Sequence, residues 1–209
     1  YRFPQFDPAA GTASPFDRTS RGGILEEIRF HGRGGQGTVV ATVILAKAFF
    51  RAGYDVQTFP VFGVERRGAP VEAYLRLDDR KILVRSNLYT PDHVVVQDPR
   101  LLDLVDVTRG LSPGGILLVN SPDFFGDSDR FADFRLAVVD ATRIAIAHHL
   151  GTRTHPIINT AMIGAFARAL GKPPMAAVAE AIAGEIPVKS DENIAAARDA
   201  HDAVLIRTP

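Results

Sequence analysis

The sequence predicts an α/β fold with a Rossmann-like, mostly parallel sheet, helices on both faces and an antiparallel hairpin. Two patterns indicate this fold. Continuously apolar runs, such as VVV at 94–96 and ILLV at 116–119, alternate with longer segments whose apolar residues recur at helical spacing. Strands that are apolar on both faces are typical of parallel sheets covered by helices. The first strand also runs through a glycine-rich turn directly into a helical segment.

From residue 24 onward the predicted elements follow one another without a linker, so residues 24–209 are interpreted as one α/β domain. Strands are predicted, in order, at 28–31, 55–59, 71–77, 81–84, 93–97, 115–120 and 136–140. The polar turn DDR at 78–80 joins the third and fourth strands, which form the predicted hairpin. Helices are predicted from apolar periodicity at 38–52, 100–111, 141–150, 159–170, 175–184 and 191–205.

Residues 1–23 differ in composition from the rest of the chain. They mix proline, glycine, serine and threonine with Phe3, Phe6 and Phe16, and they show neither helical nor strand periodicity. Disordered tails are usually poor in aromatic residues. We interpret this segment as an extended N-terminal arm that lies over a partner, with a floppy tail as the alternative.

The composition excludes several kinds of site. The chain has no cysteine, so it cannot by itself form a disulfide or hold a Cys-ligated iron–sulfur cluster. Its 24 Lys and Arg balance its 24 Asp and Glu, which argues against a broad nucleic-acid surface. No apolar run approaches the about 20 residues that span a bilayer, and the histidines lack metal-ligand spacing. We therefore expect a cytoplasmic protein without a metal site, a nucleic-acid partner or a membrane anchor.

A glycine-rich turn joins the first strand to the first helix. Its glycines are Gly32, Gly34, Gly35 and Gly37. They match the GxGxxG spacing of dinucleotide-binding loops, in which glycines permit a tight turn and helix N–H groups face a negative ligand. Arg33 adds a charge and Gln36 adds an amide. The turn is therefore a candidate phosphate site, and a tight turn without a ligand is the alternative.

Two comparisons argue against a standard nucleotide site at this turn. Dinucleotide-binding folds place an acidic residue at the end of the second strand, where this chain has QTFP at 57–60, and Asp55 stands at the other end of that strand. Phosphate-binding P-loops carry a lysine after the last glycine, where this chain has Thr38 and Val39. Neither an NAD site nor a P-loop fits the pattern.

A charged loop follows the second predicted strand, within FPVFGVERRGAPVEA at 59–73. Glu65, Arg66 and Arg67 stand between two glycines in it. In a doubly wound sheet this loop lies beside the loop that follows the first strand, at the usual ligand crevice. Adjacent arginines can present forked donors to phosphate or carboxylate, and a solvated charge cluster is the alternative.

The order of several segments is more specific than either loop. The chain contains HGRGGQG, FPVFGVERRGAPVEAYLRLDD, DHVVVQDPRLL, GGILLVNS, NTAMIGAFARALG and KSDENIAAARDAH. Over about residues 28–202, this order resembles the γ subunit (γ domain) of pyruvate and other 2-oxoacid:ferredoxin oxidoreductases. The resemblance implies an enzyme complex that oxidatively decarboxylates a 2-oxoacid with coenzyme A and yields acyl-CoA, carbon dioxide and electrons for ferredoxin or NAD.

The resemblance also implies cofactors and partners. In the family, thiamine diphosphate with Mg²⁺ and the [4Fe–4S] clusters lie mainly on other subunits, so we expect thiamine-binding α and β subunits and a ferredoxin-like δ subunit as partners. The chain is then not expected to be active alone. Coenzyme A carries several phosphates, which makes the turn at Gly32–Gly37 and the residues Glu65, Arg66 and Arg67 candidate coenzyme A contacts. A subunit interface is the alternative role.

Two other functions remain open: a stand-alone Rossmann-like nucleotide-binding enzyme and a non-catalytic assembly protein. The missing acidic residue after the second strand argues against the first of these. Among single residues, His31 is expected to be structural and Asp98 to form a turn or helix cap. Asn159 is expected to cap a helix, and Asn193 to form an interhelical or intersubunit hydrogen bond.

Overall fold

The computed structural model describes residues 25–61, 68–125 and 128–209, and the predicted N-terminal arm lies outside these ranges. The strands are β1 Glu26–Arg33, β2 Asp55–Val61, β3 Pro70–Asp78, β4 His93–Val96, β5 Ile116–Asn120, β6 Arg135–Val139 and β7 Leu205–Arg207. They form one sheet in the order β2-β3-β1-β4-β5-β6-β7. Four central strands, β1, β4, β5 and β6, run parallel, while β2–β3, β3–β1 and β6–β7 pair antiparallel.

Six α-helices are formed by the part of the chain that the structure describes. They are α1 Thr38–Arg51, α2 Leu101–Leu104, α3 Ala141–Ala147, α4 Asn159–Leu170, α5 Met175–Glu185 and α6 Ser190–Ala203, and a 3-10 helix covers Ser128–Phe131. Local chemistry explains several ends. Asp140 accepts a hydrogen bond from the Arg143 N–H at the start of α3, and α6 carries Asp191 and Glu192 in its first turn, where they favour the helix dipole. None of these helices is long and apolar enough to cross a membrane.

The two faces of the sheet are covered unequally. One face, which includes Ile28 and Phe30, packs against α1 and α3–α6 in a large apolar core. The other face, which includes Val94 and Val96, packs against α2, the 3-10 helix and the coil that carries Val107 and Leu111. Each fully buried side chain of this size stabilises the fold by about 1.5–3 kcal/mol. The α/β prediction, with a parallel core and helices on both faces, is confirmed.

The strand order contains a topological switch point between two neighbouring strands. After β1, helix α1 leads towards β2 on one side of the sheet, whereas after β4, α2 leads towards β5 on the other. The register pairs His31 with Val96 at the carboxyl ends of the two strands. In open α/β sheets, ligands bind in the crevice outside the carboxyl ends at such a point. We call the space between the ends of β1 and β4 the switch crevice.

The predicted hairpin is wrong in its second strand. Strand β3 pairs with β2, from Asp55 opposite Asp78 to Val61 opposite Glu72, and residues 81–84 form no strand. Both edges of β3 are already occupied, by β2 and β1. The 81–84 segment instead lies along β2, where the Ile82 N–H donates to the Asp55 carboxylate at 2.7 Å.

Three predicted helices extend at least two residues beyond the observed ones. The helix predicted at 141–150 ends at Ala147, because His149 has a φ of 55°, outside the right-handed helical range. The helix predicted at 100–111 ends at Leu104, because Val105 is extended, with φ −139° and ψ 151°, and the coil beyond it binds the buried guanidinium of Arg29 through the carbonyl oxygens of Val107 and Arg109, at 2.9 and 2.7 Å. The helix predicted at 191–205 ends at Ala203. The chain then pairs with the otherwise open edge of β6 as the strand Leu205–Arg207.

Candidate anion-binding site

The glycine-rich turn lies at one side of the switch crevice. Gly37, with a φ of 71°, precedes the first residue of α1 and provides no side-chain cap, so the first N–H groups of that helix have no capping side chain. The turn is closed by a hydrogen bond of 3.0 Å from the Gln36 N–H to the Arg33 carbonyl. The Gln36 side-chain oxygen accepts from the Arg33 N–H at 2.8 Å. The predicted strand–turn–helix geometry is confirmed.

A buried polar contact beside Gly32 leaves no room for a side chain at that position. The Thr38 hydroxyl donates to the Gln97 side-chain oxygen at 2.7 Å, and a Cβ at Gly32 would contact that hydroxyl and lie 2.6 Å from the same Gln97 oxygen. Gln97 follows β4, and its carbonyl accepts from the Asn120 amide at 3.1 Å. The close approach of β1, α1 and β4 therefore excludes any side chain at Gly32.

The second loop meets the glycine turn at its described end. Glu65, Arg66 and Arg67 lie outside the described residues. The adjoining backbone pairs with the turn: the Gly34 N–H donates to the Ala69 carbonyl at 2.9 Å, and the Gly68 N–H donates to the Gly34 carbonyl at 3.2 Å. The predicted proximity of the two loops is confirmed for this end, although β3, which stands between β2 and β1, produces it.

Asp98, two residues beyond β4, forms ion pairs with two arginines at the switch crevice. Its carboxylate accepts from the Arg33 Nε at 2.7 Å and from the Arg100 Nε and Nη2 at 3.0 and 2.8 Å. The Arg33 Nη1 also donates to the Gly68 carbonyl at 3.0 Å. Burial alone would raise the pKa of Asp98, but the hydrogen bonds from Arg100 and Arg33 outweigh burial and hold that pKa below its ordinary value.

The sequence predicted only part of this Asp98 cluster, which we define as Arg33, Gln36, Asp98 and Arg100. Arg33 and Gln36 were predicted as site residues, and the turn predicted at Asp98 is confirmed by the 3.1 Å bond from the Arg100 N–H. The ion pairs were missed, because Arg33 and Asp98 are 65 residues apart in the chain. The available signal was that Arg33 ends one buried parallel strand and Asp98 follows another.

His31 lies behind the turn on the face of the sheet that also carries Arg29 and Glu72. Its ring is 3% exposed, and its Nδ1 lies 3.6 Å from a Glu72 carboxylate oxygen. Burial lowers the pKa of His31 to about 4, and the charge of Glu72 offsets that effect only in part. Within the described residues its Nε2 has no hydrogen-bond partner. A buried, neutral imidazole agrees with the structural role predicted for His31.

Two buried asparagines lie in the helices α4 and α6. Asn159 is the first residue of α4 and Ile158 is its N-cap, so the predicted N-cap position is wrong, although the Asn159 side-chain oxygen accepts from the Thr160 N–H in the first turn at 2.9 Å. The hydrogen bond predicted for Asn193 is confirmed as interhelical: the Thr160 hydroxyl donates to the Asn193 side-chain oxygen at 2.9 Å, between α4 and α6. Asn193 in turn donates to the Lys189 carbonyl at 2.8 Å.

The arrangement favours binding over bond-making chemistry. Two guanidiniums against one carboxylate leave the Asp98 cluster positive, next to the uncapped N-terminus of α1. Such a surface attracts phosphate or carboxylate groups. Among residues 25–61, 68–125 and 128–209 there is no group of three or more side chains suited to a metal ion.

Comparison with known proteins identifies the family. The chain matches the family model for pyruvate ferredoxin/flavodoxin oxidoreductase over residues 27–203. It is 54% identical to the pyruvate/ketoisovalerate oxidoreductases common subunit gamma of Thermococcus kodakarensis, over 75% of this chain and 84% of that protein. Pyruvate synthase subunit PorC of Methanocaldococcus jannaschii is 46% identical, over 86% of this chain and 97% of PorC. The crystal structure of pyruvate oxidoreductase subunit PORC from Thermotoga maritima is 36% identical, with a TM-score of 0.75 over 87% of this chain and 98% of that one. These matches confirm the resemblance in the sequence motifs, and the chain belongs to the pyruvate ferredoxin/flavodoxin oxidoreductase family.

Proposed function

We propose that this chain is the γ subunit of a thiamine diphosphate-dependent 2-oxoacid oxidoreductase. The assembled enzyme oxidatively decarboxylates a 2-oxoacid with coenzyme A, and the electrons pass to ferredoxin or NAD. The observation that carries the proposal is the extent of the likeness. Subunits called gamma or PorC are 54% and 46% identical to this chain, and the chain covers 84% and 97% of their lengths.

The residues of this chain do not fit the cofactors that such an enzyme requires. The sequence has no cysteine for an iron–sulfur cluster, and the described residues offer no group of ligands for the Mg²⁺ that accompanies thiamine diphosphate. We therefore assign thiamine diphosphate to partner α and β subunits and the clusters to a ferredoxin-like δ subunit. The contribution of this chain is then assembly and the binding of a substrate.

Coenzyme A is the substrate whose chemistry suits the carboxyl edge of the sheet. Its phosphates would meet the backbone N–H groups of the Gly32–Gly37 turn and the arginines of the adjoining loop, Arg66 and Arg67. Arg33 carries a charge at this edge, but its Nε is bound to Asp98 and its Nη1 to Gly68. We therefore expect Arg33 to contribute less to coenzyme A binding than the sequence suggested, and Arg66, Arg67 and the turn to contribute more.

The complex, purified through a tag on this chain, tests the assignment. We expect it to contain thiamine diphosphate, iron and three further subunit types. It should reduce an electron acceptor only when a 2-oxoacid and coenzyme A are both present, in a panel that includes pyruvate, 2-oxoglutarate and branched-chain or aryl oxoacids. The isolated chain should be inactive. NAD-dependent turnover by the isolated chain would instead support the stand-alone enzyme.

Variants of the second loop test the coenzyme A contact. Within the complex, R66A and R67A should each raise the KM for coenzyme A by about tenfold while kcat and the KM for the oxoacid stay unchanged. R51A is the control, since Arg51 is an exposed, ion-paired arginine at the end of α1 opposite the glycine turn. Loss of subunits from the complex, with a normal KM for coenzyme A, would assign the loop to an interface.

A further inference from the structure

The two arginines of the Asp98 cluster have different surroundings. Arg33 is 19% exposed and bonds both Asp98 and the Gly68 carbonyl, so it cross-links the glycine turn to the second loop. The Arg100 side chain is 75% exposed, and each of its hydrogen bonds within the described residues goes to Asp98. Arg33 therefore has a mainly internal role, whereas the outer N–H groups of Arg100 are directed to solvent.

The hydrogen bonds that Asp98 accepts fix the orientation of Arg100. The carboxylate is 3% exposed and receives the Arg100 backbone N–H, Nε and Nη2, so the guanidinium is gripped along one edge in a bidentate pair. With Arg33 also bound, all of its acceptor positions are occupied. Asp98 is thus neither a base nor a metal ligand. Ordinary exposed ion pairs are mobile and worth little, and a pair anchored on a buried carboxylate through a bidentate contact is not of that kind.

The position of the Asp98–Arg100 pair indicates a function for it. Asp98 follows β4, and β4 and β1 flank the switch crevice. Both guanidiniums bind the same Asp98 oxygen, Oδ2, so Arg100 stands directly beside Arg33 and the glycine turn. One carboxylate neutralises one of two arginines, and the free edge of Arg100 can still offer two parallel N–H groups. That geometry matches two oxygens of one phosphate.

We propose that Arg100 is a phosphate-binding residue of the coenzyme A site and that Asp98 is the positioning residue that presents it. This inference rests on the proposed function. It adds to the switch crevice a cation that follows β4, whereas the two loops discussed above follow β1 and β2. The group bound is a phosphate of coenzyme A, either its 3′-phosphate monoester or its diphosphate bridge.

Kinetics of the assembled complex test the role of Arg100. R100A should raise the KM for coenzyme A by about tenfold, with kcat and the KM for the oxoacid unchanged, and R100K should lie between R100A and the unaltered enzyme because it keeps the charge but not the forked donors. R51A is again the control, because Arg51 lies at the far end of α1, roughly 20 Å from the first residue of that helix. Dephospho-coenzyme A separates the two sources: R100A should abolish discrimination against it if Arg100 binds the 3′-phosphate, and should weaken both ligands equally if it binds the diphosphate.

The role of Asp98 requires its own readout. D98N should raise the KM for coenzyme A without lowering kcat, and it should add little when combined with R100A, because the two act on one contact. Additive effects of D98N and R100A, or a fall in kcat and assembly for D98N alone, would mean that Asp98 is structural and would overturn its positioning role.

The outcomes separate this inference from the function on which it rests. An unchanged KM in R100A, together with a raised KM in R66A and R67A, would overturn the assignment of Arg100 and leave the coenzyme A site in place. An unchanged KM in all three variants would remove the coenzyme A role of this chain altogether. If R100A fails to enter the complex, Arg100 belongs to a subunit interface and the proposal is equally overturned.

Discussion

Gly164 in α4 provides a sharp test of how the helical layer is packed. A Cβ built at this position would contact the backbone of Ala197 in α6, lying 2.6 Å from its carbonyl carbon and 2.8 Å from its Cα, and still closer to its carbonyl oxygen. Backbone of a packed helix cannot move aside as a flexible side chain can. Gly164 is therefore the residue that allows α4 and α6 to approach each other.

The expected cost of G164A follows from two opposing effects. Overpacking a close helix contact costs about 1–3 kcal/mol, and contact with backbone places this site at the upper end. Alanine recovers about 1 kcal/mol of helix propensity relative to glycine. The net loss is about 2 kcal/mol, which corresponds to a fall in Tm of about 4–8 °C for a domain of this size. Thermal unfolding followed by circular dichroism measures it.

G184A is the matched control, because it makes the same change in another helix. A Cβ at Gly184 in α5 would meet only the Arg51 side chain, at 3.6 Å, so G184A should raise Tm slightly through helix propensity alone. The two substitutions should therefore shift Tm in opposite directions. Equal stability of G164A and the unaltered chain, or a lower Tm for G184A than for G164A, would refute the packing argument.

Two further predictions concern buried polar groups. N193A removes the acceptor of the buried Thr160 hydroxyl and should lower the free energy of unfolding by about 1–3 kcal/mol in urea titrations, and T160V/N193A should recover part of it; no recovery would contradict the contact. Acidification should destabilise the fold between the ordinary His pKa of 6.5 and about 4, because His31 takes up a proton in the unfolded chain at a pH at which the folded chain still excludes it. The loss should reach about 3 kcal/mol at most and be complete near pH 4, and H31N should flatten the stability curve within that window. Glu26 and Asp98, whose pKa values are lowered, lose their contribution only at lower pH, so an unflattened curve for H31N would exclude His31 as the cause.

The sequence predicted elements well wherever local pattern and burial agree. Strands β4, β5 and β6 are apolar enough to be found without knowledge of their neighbours, and the glycine turn marks the end of β1 and the start of α1 through its own backbone requirements. Prediction failed where a distant partner decides the structure. The guanidinium of Arg29, which is distant in sequence, binds the coil after α2 through the carbonyls of Val107 and Arg109, and Leu205–Arg207 forms a strand by pairing with the open edge of β6.

The candidate site shows the same division. Glycines, Arg33 and Gln36 could be predicted because the turn is local in sequence. Asp98 and Arg100 could not, since their connection to Arg33 depends on β4 lying next to β1 rather than next to β3. Once that order is known, the carboxyl ends of β1 and β4 become a single location, and residues that looked like a turn after an apolar strand become part of a charged cluster.

This cluster also bears on why a subunit without cofactor ligands would be retained in a redox complex. Asp98 binds both guanidiniums at the switch crevice, so the positive charge there is already ordered before a ligand binds. A preorganised cation loses less conformational entropy on binding an anion than a free arginine does. A γ subunit of this kind would therefore add affinity for a phosphate-bearing substrate, while the chemistry proceeds on its partners. Accordingly, loss of the cluster should change the concentration of coenzyme A that the complex requires, and leave its rate at saturation unaltered.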